Sequence, residues 1–143
     1  MNTPSIKQLG FTLIEIIVVV VIIGILATFV APKFLGRTDD ARITKAKNDI
    51  VALESALELY KLDNYTYPTT DQGLDSLVNE PTSEPVPANW KQGGYIKKLQ
   101  KDPWQRDYLY LSPGENAEID IYSLGADGIE GGEGPNADIG NWN

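Results

Sequence analysis

The longest run of hydrophobic residues lies near the start of the chain. It covers residues 11–31, FTLIEIIVVVVIIGILATFVA, and has one charged residue, Glu15. As an α-helix with a rise of about 1.5 Å per residue, this run is about 30 Å long, which matches the hydrocarbon core of a bilayer. The preceding residues have one positive charge, Lys7. The pattern therefore predicts a single membrane-spanning helix, with the bulk of the chain outside the cytoplasm.

A second helical pattern begins after this run. Its apolar residues recur every three or four positions and form one stripe: Ile43, Ala46, Ile50, Leu53, Leu57 and Tyr60. The stripe predicts an amphipathic helix that ends near Leu62. Pro32 and Gly36 predict an interruption between the two helices, and residues 38–40, Thr-Asp-Asp, predict a cap for the second. We expect the charged residues off the stripe to form a solvated face: Lys45, Asp49, Glu54, Glu58 and Lys61.

The rest of the chain is rich in turns. A short capped helix is predicted at Leu74, and strands are predicted over residues 108–111 and 118–124, on either side of a turn. The order of a long helix followed by paired strands predicts an α+β fold, in which the apolar stripe packs on one face of a small antiparallel β-sheet.

The amino-acid composition limits the classes of function that the chain can have. The chain has 143 residues, a net charge of −8, and neither cysteine nor histidine. It therefore has no disulfide, no thiolate nucleophile and no imidazole base, so we expect a protein that is not an enzyme. The acidic balance also opposes binding to phosphate backbones, and we expect no nucleic-acid partner.

The acidic charge is concentrated at the C-terminal end. From residue 115 onward there are seven carboxylates and no Lys or Arg: Glu115, Glu118, Asp120, Asp127, Glu130, Glu133 and Asp138. Six glycines lie among residues 125–140. Ca²⁺ takes 6–8 oxygen ligands from carboxylates, carbonyls and water, and would offset this charge. From composition alone, a calcium site and a solvated acidic loop are equally good interpretations.

Glu15 is the anomaly of the apolar run. A carboxylate inside hydrocarbon costs about 2.5–3.5 kcal/mol on insertion scales. We therefore expect either a partner for Glu15 or a position from which it reaches the headgroups.

The residues around Glu15 carry a resemblance. Residues 7–15, KQLGFTLIE, resemble the class III leader of type IV pilins and pseudopilins. The resemblance implies that a prepilin peptidase cleaves between Gly10 and Phe11 and methylates the new amine of Phe11. It also implies that Glu15 acts in assembly, where its carboxylate can pair with the Phe11 amine of a neighbouring subunit in a medium of low dielectric constant.

Four later motifs make the resemblance more specific and extend it over essentially the whole chain. They are YPTTDQGL (residues 67–74), DPW (102–104), SLGADG (123–128) and DIGNW (138–142). Together they are similar to the major pseudopilins of type II secretion systems, within the type IV pilin-like superfamily. This resemblance implies a pilin-like fold with a calcium-stabilised C-terminal loop.

The resemblance also implies calcium ligands. They are the backbone carbonyl of Leu124 and the carboxylates of Asp127 and Asp138. Some relatives carry a further aspartate where this chain has Ala137. Glu133, or less readily Glu130, is the expected replacement.

We expect three segments: a cleaved leader (residues 1–10), a transmembrane and assembly helix (11–35) and a periplasmic globular domain (36–143). The resemblance implies the major subunit of a periplasmic filament that helps move folded proteins through an outer-membrane secretin. The implied partners are copies of the chain, minor pseudopilins, the prepilin peptidase and an inner-membrane assembly platform. A type IV pilin, major or minor, and a membrane-tethered calcium-binding domain are the alternatives.

Overall fold

The computed structural model describes residues 11–143, and for residues 29–36 it describes the backbone alone. The chain divides into two compact units, one that ends at Thr38 and one that covers Asp39–Asn143. One helix, α1 (Leu13–Asn64), contributes residues to both units. The second unit adds the strands β1 (Leu109–Leu111), β2 (Asp120–Ser123) and β3 (Ile139–Gly140), with 3₁₀ turns at Leu74–Leu77 and Gly134–Asn136.

Helix α1 is 52 residues long and continues through both predicted breaks. The backbone is helical at Pro32 and Gly36, and residues 38–40 lie inside the helix. The predicted interruption and cap were therefore wrong. A proline removes one hydrogen bond and bends a helix, but it does not end the helix where both flanks continue the helical pattern.

The end of α1 falls at Asn64, two residues beyond the predicted end at Leu62. Tyr65 follows with a φ of 66°, a left-handed conformation that is common just after a helix. Its N–H donates to the carbonyl of Lys61 at 2.7 Å, and the Asn64 side-chain amide donates to the carbonyl of Tyr60 at 3.0 Å. Both bonds satisfy carbonyls that the helix end would leave unpaired.

The first unit presents apolar side chains to its surroundings. All side chains of residues 11–28 are exposed. Among the residues that the structure describes, no helix has the length and hydropathy needed to cross a membrane. The membrane span over residues 11–31 stays a prediction.

The second unit is built around the predicted apolar stripe. Five of its six members are buried, Ala46, Ile50, Leu53, Leu57 and Tyr60, and Ile43 packs against them. They form one core with Leu74 and Leu77 of the first 3₁₀ turn and with residues of the sheet and its flanks: Tyr108, Tyr110, Ile119, Ile121 and Ile139. The predicted α+β fold, in which a helix packs on a small antiparallel sheet, is confirmed.

Three of the five residues on the predicted solvated face of α1 are only partly exposed. They bond to distant parts of the second unit in the pairs Asp49 with Tyr108, Glu54 with Asn141, and Lys61 with Glu118. Charged residues at the margin of an apolar stripe lie close enough to the sheet to reach it. Glu58 is exposed as expected.

The sheet has the order β1-β2-β3, and both pairs are antiparallel. Tyr110 lies opposite Ile121, and Ser123 lies opposite Ile139. The first two strands were predicted, but β3 was missed because it has only two residues and lies in a segment of turn-forming composition. The antiparallel pairing of β2 and β3 brings the two ends of the acidic loop together.

Candidate functional site

Two regions carry the predicted functional residues, and they lie in different units. Gly10 lies outside the described residues. Phe11 is exposed at the start of the described chain, and the first turn of α1 follows it. The predicted calcium residues all lie in the loop between β2 and β3.

Glu15 has partners within its own helical turn. Its backbone N–H donates to the hydroxyl of Thr12 at 3.3 Å, and its carboxylate accepts the N–H of Thr12 at 3.4 Å. This reciprocal pair is a capping box, in which a Thr and a Glu three residues apart satisfy two N–H groups at the start of a helix. The sequence signal for this box is the three-residue spacing of Thr12 and Glu15. The carboxylate is thereby held at the beginning of α1.

Leu124 and Asp138 are the two end residues of the C-terminal loop. Leu124 directly follows Ser123 and Asp138 directly precedes Ile139, and Ser123 and Ile139 lie opposite each other in the sheet. The N–H of Ala126 donates to the carbonyl of Pro135 at 2.9 Å, which ties the two limbs together. The approach is close because residue 125 is glycine with a φ of +63°. A Cβ there would lie 2.6 Å from the carbonyl oxygen of Ala137.

The two predicted carboxylate ligands differ in environment. Oδ2 of Asp138 accepts the N–H of Gly131 at 2.8 Å, whereas Oδ1 is buried and has no hydrogen-bond partner within the described residues. Oδ1 of Asp127 accepts the N–H of Ile129 at 3.1 Å and stabilises the turn that follows. A buried carboxylate oxygen without a partner is costly, so among the predicted ligands Asp138 is the one with an oxygen left to satisfy.

A polar cavity of about 200 Å³ lies beside Asp138. Glu130 lines this cavity together with Asp138, while Glu133 does not. Tyr122 lines it as well; burial raises the pKa of its hydroxyl, and the negative charges of Glu130 and Asp138 raise this pKa further. Glu130, which the sequence ranked below Glu133 as the replacement ligand, is thus the one that shares a cavity with Asp138.

Within the part of the chain that the structure describes, no three carboxylates converge on one point suited to a metal ion. A bound Ca²⁺ would therefore need backbone carbonyls and water as well as Asp127 and Asp138, and calcium sites commonly use such ligands. The unpartnered oxygen of Asp138 and the approach of the two limbs fit this donor set.

Asp120 has a structural role that its place in the acidic tail does not reveal. Its buried carboxylate accepts N–H groups of Glu115, Asn116 and Ala117 at 2.8–3.3 Å. Burial opposes its ionisation, but these hydrogen bonds outweigh burial and hold the pKa of Asp120 below its usual value. The turn before β2 is thus built around one carboxylate.

Asn141 was also missed. Its side-chain oxygen accepts the N–H of Ile121 at 3.0 Å, and its amide donates to the carbonyl of Ile119 at 3.0 Å and to Glu54 at 3.1 Å. One side chain thereby ties the end of the loop to β2 and to α1.

Comparison with known proteins gives these features a context. The chain matches the family model "Type II secretion system (T2SS), protein G" over residues 33–142. The chain belongs to the type II secretion system protein G family. A second model, the prokaryotic N-terminal methylation motif, matches residues 6–31 of this protein G chain, the segment with the predicted leader.

Individual protein G relatives are similar over nearly their whole length. The type II secretion system core protein G of Vibrio cholerae is 64% identical over 137 residues, which are 96% of this chain and 93% of the relative. That of Pseudomonas aeruginosa is 58% identical over 136 residues, 95% of this chain and 96% of the relative.

The chain is also similar to a protein of known structure. The crystal structure of the major pseudopilin from the type 2 secretion system of enterohaemorrhagic Escherichia coli has 51% sequence identity and a TM-score of 0.68. The match covers 76% of this chain and 92% of that chain. The predicted family, and at that level the predicted function as a pseudopilus subunit in type II secretion, are confirmed. Protein G is a family of structural pseudopilins.

Proposed function

We propose that the chain is the major structural subunit of a type II secretion pseudopilus and works as a homopolymer in the periplasm. A prepilin peptidase removes the leader between Gly10 and Phe11 and methylates Phe11. Residues 11–31 anchor the subunit in the inner membrane until an inner-membrane platform adds it to the filament. The filament, with minor pseudopilins, helps move folded proteins through an outer-membrane secretin.

The exposed apolar surface of the first unit is the observation that carries this proposal. Four consecutive apolar side chains, which point in different directions around this part of the helix, are each 48–50% exposed: Ile16, Ile17, Val18 and Val19. A helix that is apolar on all sides is covered by lipid or by other protein in the working molecule. In a subunit that moves from a membrane into a filament, lipid covers this helix first. Copies of the same helix then replace the lipid.

Glu15 supplies the specific contact in this assembly. The capping box keeps its carboxylate in the first turn of α1, close to Phe11 in sequence. Cleavage after Gly10 creates an amine at Phe11. In the apolar filament core the amine of one subunit and the carboxylate of another offset each other's desolvation.

The test of assembly uses Glu15→Leu in a host that has the secretion machinery but lacks its own protein G. We expect normal membrane insertion and normal cleavage, because the apolar run becomes more apolar, and loss of filaments in electron micrographs of sheared cells. Val19→Leu is the matched control, since it changes an apolar side chain of the same helix, and it should assemble normally. Wild-type filament yield from Glu15→Leu would contradict the proposed role.

We also propose that Ca²⁺ stabilises the C-terminal loop through Asp127, Asp138 and the carbonyl of Leu124. Glu130 or Glu133 provides a further carboxylate. Bound Ca²⁺ supplies two positive charges to a segment that has no Lys or Arg. The support is the buried Oδ1 of Asp138, which lacks a hydrogen-bond partner within the described residues.

The calcium proposal is tested by thermal unfolding of the full-length chain in detergent, with calcium and with a chelator. Binding to the folded state alone adds about 2.7 kcal/mol at a hundredfold excess over Kd. Asp127→Ala and Asp138→Ala should abolish most of the resulting rise in Tm. Glu58→Ala is the control, because Glu58 is exposed and lies outside the loop, whereas Glu54 is bound to Asn141. A wild-type Tm that does not respond to calcium would refute the site.

A further inference from the structure

We propose that Arg106 is a positioning residue of the C-terminal loop. Its guanidinium, anchored by Asp102, holds the turn at residues 125–128 in the shape in which Leu124 and Asp127 serve a cation. The effect of Arg106 on cation binding rests on the proposed calcium site. The contacts through which Arg106 holds the turn do not involve the side chains of the predicted ligands.

Asp102 provides the anchor. It is 1% exposed, and its Oδ1 accepts the backbone N–H groups of Trp104 at 3.0 Å and Arg106 at 2.8 Å. Its Oδ2 accepts the hydroxyl of Ser123, the last residue of β2, at 2.7 Å. Asp102 therefore fixes the turn of residues 102–106 directly against the point where the loop begins.

Arg106 extends from this anchor to the loop. Its Nη2 donates to the carbonyl of Gly125, and its Nε lies 3.8 Å from Oδ2 of Asp102. The side chain is 37% exposed, whereas its Nε is buried and has no hydrogen-bond partner within the described residues. The hydrogen bond to Gly125 is made by a charged donor, and such bonds are stronger than those between neutral groups.

Gly128 makes room for this contact. A Cβ at residue 128 would lie 2.7 Å from Nη1 of Arg106 and 3.1 Å from Cζ. The guanidinium thus packs directly on the backbone of the turn. On the opposite limb, Ala126 bonds to Pro135, as described above. The turn is held from both sides.

Two opposite effects on cation binding follow from a guanidinium in this place. Its positive charge repels a cation, and its contacts reduce the disorder that binding must remove. Asp102 carries the opposite charge and lies against Arg106, so the pair is close to neutral at a distance. The gain from order is large because this loop has many glycines and no covalent cross-link. We therefore expect the positioning effect to dominate.

The experiment compares Arg106→Gln, Arg106→Lys and Lys101→Gln in the full-length chain in detergent. Lys101 is the matched control, because it is a cation of the same segment that pairs with exposed Asp107. The first measurement is amide hydrogen exchange of Ala126 and Gly128 in the presence of a chelator. The second is calcium affinity by titration calorimetry with CaCl₂.

Arg106→Gln should accelerate exchange of the Ala126 and Gly128 amides about tenfold, as expected for a lost hydrogen bond to a charged donor. It should weaken calcium binding about tenfold, which is the lower end of the range for residues that orient metal ligands without binding the metal themselves. Arg106→Lys should fall between Arg106→Gln and wild type, because an ammonium keeps the positive charge but lacks the planar group that donates to Gly125 while its Nε lies beside Asp102. Lys101→Gln should match wild type.

Several outcomes would overturn the proposal. Unchanged exchange in Arg106→Gln, tighter calcium binding by that variant, or a fully wild-type Arg106→Lys would each exclude positioning by the guanidinium.

The exchange rate of the Leu57 amide in the core of α1 reports global unfolding. If Arg106→Gln raises it, Ser123→Ala replaces that variant and should give a smaller change of the same sign, and no change would refute the anchor. A wild-type chain that binds no calcium refutes the calcium site, and the exchange rates in chelator still decide whether Arg106 holds the loop.

Discussion

The hydroxyl of Tyr108 donates a 2.8 Å hydrogen bond to the carboxylate of Asp49. These residues are 59 positions apart, one on α1 and one just before β1, so the bond closes a long segment of chain onto the helix. Lys45 pairs with the same carboxylate from the preceding turn of α1. Burial raises the pKa of Tyr108 well above its usual value, and the bond to Asp49 raises it further.

Tyr108→Phe should lower the free energy of unfolding by about 1 kcal/mol at pH 7, because Asp49 loses a donor. Since the pKa of Tyr108 is higher in the folded state, the stability it contributes is complete below pH 10 and is lost as pH rises above that value. The variant should therefore show a shallower alkaline loss of stability in urea titrations at pH 7 and pH 11. Tyr65→Phe, at a side chain that is 82% exposed, should show the wild-type slope.

Asp120→Asn should weaken the turn before β2, because an amide cannot accept all the N–H groups that surround this carboxylate. We expect a loss of about 2 kcal/mol at neutral pH, the size typical of hydrogen bonds to a charged group. The pKa of Asp120 is depressed on folding, so its contribution is present above the ordinary value of 3.8 and is lost as pH falls below it.

Urea titrations at pH 7 and pH 3 measure both effects of Asp120→Asn. The variant should lose less stability than wild type between these two pH values. Asp71→Asn, at an exposed position, is the control and should leave the difference unchanged. An acid dependence equal to wild type in Asp120→Asn would contradict the role assigned to this carboxylate.

Leu57→Ala should lower the free energy of unfolding by about 2–5 kcal/mol, since it opens a cavity in a site that the structure shows as fully buried. Leu62→Ala, on the same helix at a side chain that is 74% exposed, should change stability by about 0.5 kcal/mol or less. Chemical denaturation of both variants checks the pair. Equal losses would place Leu57 outside the core.

Gly10→Val should leave the chain uncleaved in the membrane, because a peptidase site adapted to glycine has no room for a branched side chain. Mass spectrometry of the N-terminus in cells that contain the peptidase measures this. Ser5→Val, in the same leader, should be processed normally. Cleavage of Gly10→Val after residue 10 would refute the proposed leader.

The apolar stripe of α1 could be predicted because helical spacing depends only on local geometry. Ile50 and Leu57 lie on one face of any helix that includes them, and both are in the core. The bonds of Glu54 and Lys61 could not be predicted in this way. Their partners lie 87 and 57 positions away, and which polar residue a helix margin meets depends on the packing of the sheet.

The candidate site likewise has residues that the sequence predicts and residues whose role depends on tertiary packing. Motif resemblance located Asp127 and Asp138 in the loop, and the structure places the loop limbs together through the pairing of β2 and β3. Arg106 carried no signal in the sequence, because a lone cation in a turn has many uses. Its role appears only when Gly128 is seen beneath its guanidinium.

The loop between β2 and β3 is closed entirely by noncovalent contacts, among them the bonds of Asn141 and the bond from Ala126 to Pro135. Since the chain has no cysteine, the time needed to close this loop is set by local chain motion, in the range of nanoseconds to microseconds, rather than by disulfide rearrangement over minutes to hours. In a subunit of this kind, closure of the loop does not wait for an oxidase. The folding of this loop is therefore independent of the rate of thiol oxidation.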